Sequence, residues 1–180
     1  MCVLSTRISC LKDALSILKG IEIKFCPASQ IKEYGIATCK TPKKGYEENE
    51  PFIRVYNGNT NEFYKIAQGA DPNGTSCIME LIGTKIEVTK ENTALLYCIF
   101  TLLHEAGHWY DYKNRPDEYT SDVEAVDNSV SSDSSMDVAR VYRKRSIENR
   151  ADQFALDHII EAWDEVNEKI FHRLLSVSKI

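Results

Sequence analysis

The chain has 180 residues, of which 43% are hydrophobic and 27% are charged, and this composition is typical of a single globular domain with a buried core. The formal net charge of −5 disfavours nucleic acid or an anionic membrane as the main partner, and the longest apolar run, residues 94–100, is too short to cross a bilayer. The six cysteines form no C-x-x-C pair, and the first residues show no signal-peptide pattern, so we expect free thiols and a cytoplasmic location.

The first half of the chain, residues 1–90, predicts a helix followed by a small β-region. Apolar residues of segment 8–18 recur at helical spacing, and Gly20 stands where a left-handed residue would end that helix. Alternating and β-branched segments then predict strands, with a turn signal at Asn57 and Gly58. The predicted strands are residues 21–26, 36–41, 52–56 and one or two strands within 77–88, with a short helix at 61–68 and a loop at 70–74.

The second half, residues 91–180, predicts helices with one long acidic connection. Asn92 or Thr93 can cap a helix that runs to about residue 112. Apolar residues lie on nearly every side of this helix, so we expect it to be central and buried. Segment 115–134 is rich in Ser and Asp and predicts a long loop, which either covers a cleft or is disordered.

A capping box at residues 134–137 predicts that a further helical region begins there. The helical pattern continues through residues 147–162 toward residue 175, with a break at residues 144–146. The fold class predicted for the whole chain is therefore α+β, in one domain. A small, mostly antiparallel sheet should pack on the central helix, and the second half should be helical.

Residues 104–108 read HEAGH, an instance of the H-E-x-x-H pattern, inside the predicted central helix. Residues four apart lie on one face of a helix, so the imidazoles of His104 and His108 can reach one metal ion. Glu105 lies where its carboxylate can contact a water on that metal rather than the metal itself. Burying two unpaired imidazoles without a metal would be costly, so the pattern favours a zinc site over two core histidines.

A catalytic zinc normally has three protein ligands and one open position, so a third ligand must come from elsewhere in the chain. The metzincin pattern is excluded, because Asp111 and Asn114 stand where it requires Gly and His. Glu148 is the favoured third ligand, and Asp152, one helical turn later, can accept a hydrogen bond from the outer N–H of a ligand histidine. Asp111 is a rival ligand, but it shares the helical arc of the histidines, so a supporting role suits it better. Acids of the 115–134 segment stay open as further rivals.

The two motifs HEAGH and ENRADQFA resemble those of the gluzincin metallopeptidases, most closely the ImmA/IrrE-type peptidases, and small minimal gluzincins are also similar. The resemblance covers residues 99–160. It implies a zincin-like fold and a zinc ion held by His104, His108 and Glu148. It also implies hydrolysis of peptide bonds in a protein substrate, such as a transcriptional regulator. Arg150 departs from the ImmA/IrrE pattern, in which a Glu often stands at this position, but the ligand position is unchanged.

Such a site predicts a mechanism. Zinc lowers the pKa of its bound water to near 7, and Glu105 would take the water's proton and pass it to the leaving amine. In gluzincin-like folds the substrate lies beside an edge strand, for which residues 85–88 are the candidate. A further donor should stabilise the oxyanion. The choice of donor stays open among Tyr110, Tyr112, Tyr119, Tyr142 and Arg143.

Two other functions stay open. A chain that keeps this set of ligands could bind zinc as a regulatory or interaction module without hydrolysing a peptide, or it could hydrolyse a small amide. The presence of Glu105 favours activity, because a structural zinc site is usually closed by four protein ligands and needs no base.

Overall fold

The computed structural model describes residues 6–31, 35–42, 50–127 and 135–177. Within these ranges the chain has an α+β fold with seven α-helices and one sheet of three strands, so the predicted fold class is confirmed. The elements in chain order are α1 (Ile8–Ala14), β1 (Ile23–Cys26), β2 (Ala37–Lys40), β3 (Phe52–Tyr56), α2 (Thr60–Ala70), α3 (Pro72–Gly83), α4 (Thr93–Asn114), α5 (Pro116–Asp127), α6 (Met136–Arg143) and α7 (Ser146–Val177).

The sheet is mixed, with the strand order β1-β3-β2. β1 pairs in parallel with β3, whereas β2 pairs with β3 in the antiparallel direction, so the predicted mostly antiparallel sheet is wrong for one of its two pairings. The central strand β3 buries Ile53 and Val55 completely and leaves Phe52, Arg54 and Tyr56 half-buried. β2 lies at an edge of the sheet, and its four residues are all half-buried.

The N-terminal helix is shorter than its apolar pattern suggests. α1 ends at Ala14, and a separate 3-10 turn, Ser16–Leu18, completes the segment. Gly20 follows this turn with a φ of +91°, in the left-handed region that glycine tolerates best, so it stands after the 3-10 turn and not at the end of the predicted helix.

The largest error of the sequence prediction lies between β3 and α4. The pattern of residues 77–88 predicts strands, but residues as far as Gly83 belong to the helix α3. The Asp71 side chain accepts a hydrogen bond from the backbone N–H of Gly74, and Pro72 occupies the first helical position, where it loses no hydrogen bond. Residues 85–88 form no strand.

The long helix α4 forms the centre of the molecule, as predicted. Residues 95–108 are all buried, because α2, α3, the sheet and α7 cover the helix on several sides. α7 lies directly against it at Gly107, where a Cβ atom would lie only 3.0 Å from the Cα of Ala151. Small residues at these positions therefore allow the backbones of α4 and α7 to pack directly against each other.

The acidic segment after α4 is not the loop that its composition suggests. Residues 116–127 form α5, with Pro116 at its first position, and residues 128–134 lie outside the described part of the chain. Ser135 caps α6 by accepting a hydrogen bond from the Val138 N–H, which confirms the predicted start. The helix ends beside Lys144, and α7 begins at Ser146, as the predicted break requires.

No helix in the described ranges is both long enough and apolar enough to cross a membrane.

Candidate metal centre

Three buried side chains from α4 and α7 converge at one point. His104 and His108 lie on one face of α4, and Glu148 comes from the first turn of α7. The His104 Nε2 atom lies 3.1 Å from Nε2 of His108 and 3.4 Å from Oε2 of Glu148. The Glu148 Oε1 atom is 3.8 Å from Nε2 of His108. The structure thus brings together the three residues predicted as ligands.

These distances allow all three side chains to bind the same metal ion. Two atoms bound tetrahedrally to one zinc ion, each about 2.0–2.1 Å from it, stand about 3.3 Å apart. All three ligand atoms lie within 4.8 Å of one another, and among the described residues this is the group that could hold a metal. Two imidazoles and one carboxylate form the donor set of many catalytic zinc sites, which leave a fourth position for water or substrate.

Asp152 contacts the His104 ring at the nitrogen that does not face the other two side chains. The His104 Nδ1 atom lies 2.8 Å from Asp152 Oδ1, and the same oxygen accepts a hydrogen bond of 2.8 Å from Arg143. Such a carboxylate fixes the ring orientation and directs Nε2 toward the metal. The predicted contact between Asp152 and a ligand histidine is therefore present. By contrast, His108 Nδ1 is buried without a hydrogen-bond partner among the described residues.

Glu148, the predicted third ligand, is held by Tyr142, whose hydroxyl donates a hydrogen bond of 2.9 Å to Glu148 Oε1. Tyr142 and Arg143 are the last two residues of α6. One end of this short helix therefore fixes both the carboxylate that faces the metal position and the carboxylate behind His104.

The electrostatics of the cluster suit a cation. Burial by itself lowers the pKa of His104, but its hydrogen bonds with Asp152 and Glu148 outweigh burial and raise the pKa to about 9. Burial also opposes ionisation of Glu148, yet the bond to His104 and its charge hold the Glu148 pKa at about 2. Burial and the neighbouring His104 charge lower the pKa of His108 to about 4. Two carboxylates thus stabilise one positive charge here, and a metal ion would supply that charge instead of a proton.

Glu105 lies next to the two histidines in α4 and contacts the strand β2. Its side chain is buried, and its Oε2 atom accepts a hydrogen bond of 2.5 Å from the backbone N–H of Cys39 in β2. Burial raises the pKa of Glu105, against the opposing effects of the His104 charge and the Cys39 N–H. A raised carboxylate pKa is typical of a residue that exchanges protons near neutral pH. The contact with β2 was not predictable, because a backbone donor leaves no signal in the sequence.

A cavity of about 520 Å³ opens onto the three ligands and Glu105. Residues 36–40, which include β2, form one wall, and side chains from α3, α4, α5, α6 and α7 form the others. The edge strand beside the site is therefore β2, and the prediction of residues 85–88 for this role is wrong. The cause is the misassigned helix α3, which leaves no strand in that part of the chain.

The five candidate oxyanion donors separate into two groups. Tyr119, Tyr142 and Arg143 line the cavity. The Tyr110 hydroxyl instead donates to the backbone oxygen of Ile17 at 3.2 Å, and Tyr112 packs its ring edge-on against Tyr119.

Asp111 is not brought to the ligand atoms. Arg115 donates to its Oδ1, and Arg150 donates to its Oδ2 at 2.9 Å. Arg150 also binds Asp122 at 2.7 Å, so the three helices α4, α5 and α7 meet in one ionic cluster. In this structure Asp111 joins helices to each other, and no hydrogen bond links it to either ligand histidine within the described ranges.

The chain was compared with models of protein families, with curated proteins and with solved structures, and none of the three comparisons finds a match.

Proposed function

We propose that the chain is a zinc-dependent metallopeptidase that hydrolyses peptide bonds of a protein substrate. One observation carries the proposal: three buried ligand atoms converge beside a cavity, with Glu105 next to them. A structural zinc site is usually closed by four protein ligands, whereas a catalytic one has three. The likeness of the HEAGH and ENRADQFA motifs to gluzincins supports the same reaction.

The residues divide the chemistry between them. His104, His108 and Glu148 would hold the zinc ion, which acts as a Lewis acid and makes water a good nucleophile at neutral pH. Glu105 takes the proton of the attacking water and delivers it to the nitrogen of the departing amine. The N–H of Cys39 orients the Glu105 carboxylate toward the cavity in the resting state. Asp152 keeps the His104 ring in the orientation that binding requires.

β2 supports an extended peptide as substrate. The Tyr56 N–H donates to the Ile36 oxygen, and pairing groups alternate along an antiparallel strand. The backbone groups of Thr38 and Lys40 therefore face β3, whereas those of Ala37 and Cys39 face away from it, toward the cavity. The Cys39 N–H already donates to Glu105, so a peptide would pair with the Ala37 groups and the Cys39 oxygen, and this strand pairing supplies affinity through the main chain.

The experiment compares zinc-loaded wild type with Glu105→Gln, using a mixture of unfolded proteins and short peptides as substrates. We expect both proteins to bind one equivalent of zinc and only the wild type to cleave, because the amide cannot accept the water's proton. The matched control is Glu161→Gln, an exposed acid on α7, which should cleave like the wild type.

Each alternative gives a different result. Equal cleavage by Glu105→Gln would contradict the assigned base. Stoichiometric zinc without cleavage of any substrate by the wild type would favour a zinc-binding regulatory or interaction module. Hydrolysis of short amides but of no protein or peptide would favour a small-amide hydrolase.

A further inference from the structure

Arg150 links the helices α4 and α7 to α5, which forms part of the cavity wall. It lies on α7 between Glu148 and Asp152, and its guanidinium binds Asp111 of α4 through two nitrogens, at 2.9 Å and 2.8 Å. The NH2 atom also binds Asp122 of α5 at 2.7 Å. Its side chain is 24% exposed and that of Asp111 only 7%, so water screens this cluster less than an ordinary surface ion pair.

α5 contributes few side chains to the buried core. Among the side chains described in this helix, Tyr119 is the buried one, so few apolar contacts fix its position. Asp122 binds Arg150 and also accepts a hydrogen bond of 3.0 Å from Ser146 of α7, whereas Glu118 near the start of the helix binds Arg115 at 3.3 Å. The ionic cluster therefore joins the middle of α5 to both α4 and α7.

Tyr119 is the side chain that α5 presents to the metal centre. Its ring packs edge-on against His108, with 6.1 Å between the ring centroids, and it lines the cavity. Two other polar side chains of the cavity wall already have partners, since Tyr142 donates to Glu148 and Arg143 donates to Asp152. No hydrogen bond joins the Tyr119 hydroxyl to another residue in the described ranges, so it is available to a substrate.

We propose that Tyr119 donates a hydrogen bond to the substrate carbonyl oxygen as negative charge develops on it, and that Arg150 is the positioning residue that holds α5, through Asp111 and Asp122, so that this hydroxyl faces the reacting carbonyl. This inference rests on the proposed function. A donor of this kind accelerates the reaction because it binds the transition state more strongly than the ground state.

The test is a double-mutant cycle with Tyr119→Phe, Arg150→Gln and the double variant, all zinc-loaded and assayed on one peptide substrate of the wild type. Tyr119→Phe should lower kcat on the order of 10²- to 10³-fold, with KM nearly unchanged. Arg150→Gln should lower kcat about 10- to 100-fold, because it displaces the donor. Added to the Tyr119→Phe variant, the same Arg150→Gln change should have almost no further effect.

The cycle can overturn the inference in two ways. If Tyr119→Phe leaves kcat unchanged, Tyr119 is not the donor. If the two losses multiply, Arg150 does not act through Tyr119. The control is Arg140→Gln on α6, an exposed arginine that pairs with Glu80 at 3.5 Å and does not belong to this cluster, which should keep wild-type kcat and KM. Zinc content is measured for every variant, so that a lost metal is not mistaken for a lost donor.

A second measurement does not depend on activity. Hydrogen exchange of the α5 amides should be faster in Arg150→Gln than in the wild type, while exchange in α4 and α7 should be unchanged. Unchanged exchange in α5 would contradict the positioning role of Arg150 even if the enzyme is active. Faster exchange in a protein that cleaves nothing would support the positioning role and contradict the proposed function, so the two failures are distinguishable.

Discussion

Two pairs of helices surround the metal centre, and they differ in how they are held. α4 and α7 pack backbone to backbone around Gly107 and Ala151, and each contributes a continuous buried face to the core. α5 and α6 contribute almost nothing to that core, because α6 has no buried residue and α5 buries Tyr119 among its described side chains. Hydrogen bonds and ion pairs attach them instead.

The difference separates two tasks. The three side chains that could hold a metal lie on α4 and α7, the rigid pair, where packing fixes their mutual distances, as precise coordination requires. The side chains that would meet a substrate lie on the weakly buried pair and on β2, where small displacements have a low cost. α6 links the two regions, because Tyr142 and Arg143 reach from it to Glu148 and Asp152.

The largest effect is expected when Glu148, the proposed third ligand, is replaced. Glu148→Ala should lower zinc affinity by at least about 100-fold, more than the loss of a supporting hydrogen bond would, because two histidines alone remain. Competition with a chromophoric chelator measures this directly. Glu161→Ala, an exposed acid on the same helix, should retain wild-type affinity. Equal zinc affinity in the two variants would remove Glu148 from the ligand set.

Removal of the support behind His104 should have a smaller effect. Asp152→Asn keeps the shape of the side chain but loses its charge, so we expect zinc affinity to fall about 10- to 100-fold. Asp157→Asn serves as the control, since Asp157 is exposed on the same helix and bonds to Gln153. An Asp152→Asn protein that binds zinc like the wild type would show that the negative charge of Asp152 is not needed behind His104.

Direct packing of α4 on α7 predicts an effect on stability. The Cβ of Gly107→Ala would lie 3.0 Å from Ala151 Cα and 3.1 Å from Phe154 Cβ, and such overpacking costs about 1–3 kcal/mol. Gly69→Ala in α2 meets no atom within 4 Å and should stabilise the protein by up to about 1 kcal/mol. Urea unfolding of both variants measures the contrast. If both are equally stable, the helices can separate without cost.

The smallest predicted effect concerns the attachment of α5. The hydrogen bond from Arg150 is the main cause that lowers the pKa of Asp122 below its ordinary value. A carboxylate with a lowered folded-state pKa stabilises the fold above its unfolded pKa, and this contribution disappears as the pH falls through the folded value. Asp122→Asn should therefore reduce the free energy of unfolding at pH 7 by less than about 1 kcal/mol. The difference from wild type should begin to shrink as the pH falls toward about 4 and should vanish only below the lowered folded-state pKa of Asp122. A difference that grows on acidification would contradict this explanation.

The structure of the α4–α7 region could be predicted from the sequence better than that of the α5 region, and the reason is physical. A helix that is buried on every side carries its pattern in its own residues, and H-E-x-x-H followed by Glu148 and Asp152 matches the spacing of helical turns. α5 lacks such a pattern, because ionic contacts with distant residues hold it. Nothing in the acidic composition of residues 116–127 indicates that Arg150 will bind Asp122.

The prediction of strands where α3 lies was wrong for a related reason. Its Gly, Thr and Ile residues have strand propensity or weak helix propensity, but burial of Thr75, Ile78 and Ile82 at helical spacing outweighs it. That error also displaced the predicted edge strand, since the position of β2 beside Glu105 depends on long-range pairing with β3 that no local pattern encodes.

The hydrogen bond between Cys39 and Glu105 has one more consequence. Its donor is a main-chain amide, so it survives replacement of the Cys39 side chain by any residue except proline. Position 39 also lines the cavity. Natural variation or engineering at this single position can therefore remodel the wall of the cavity while the orientation of Glu105 is inherited unchanged.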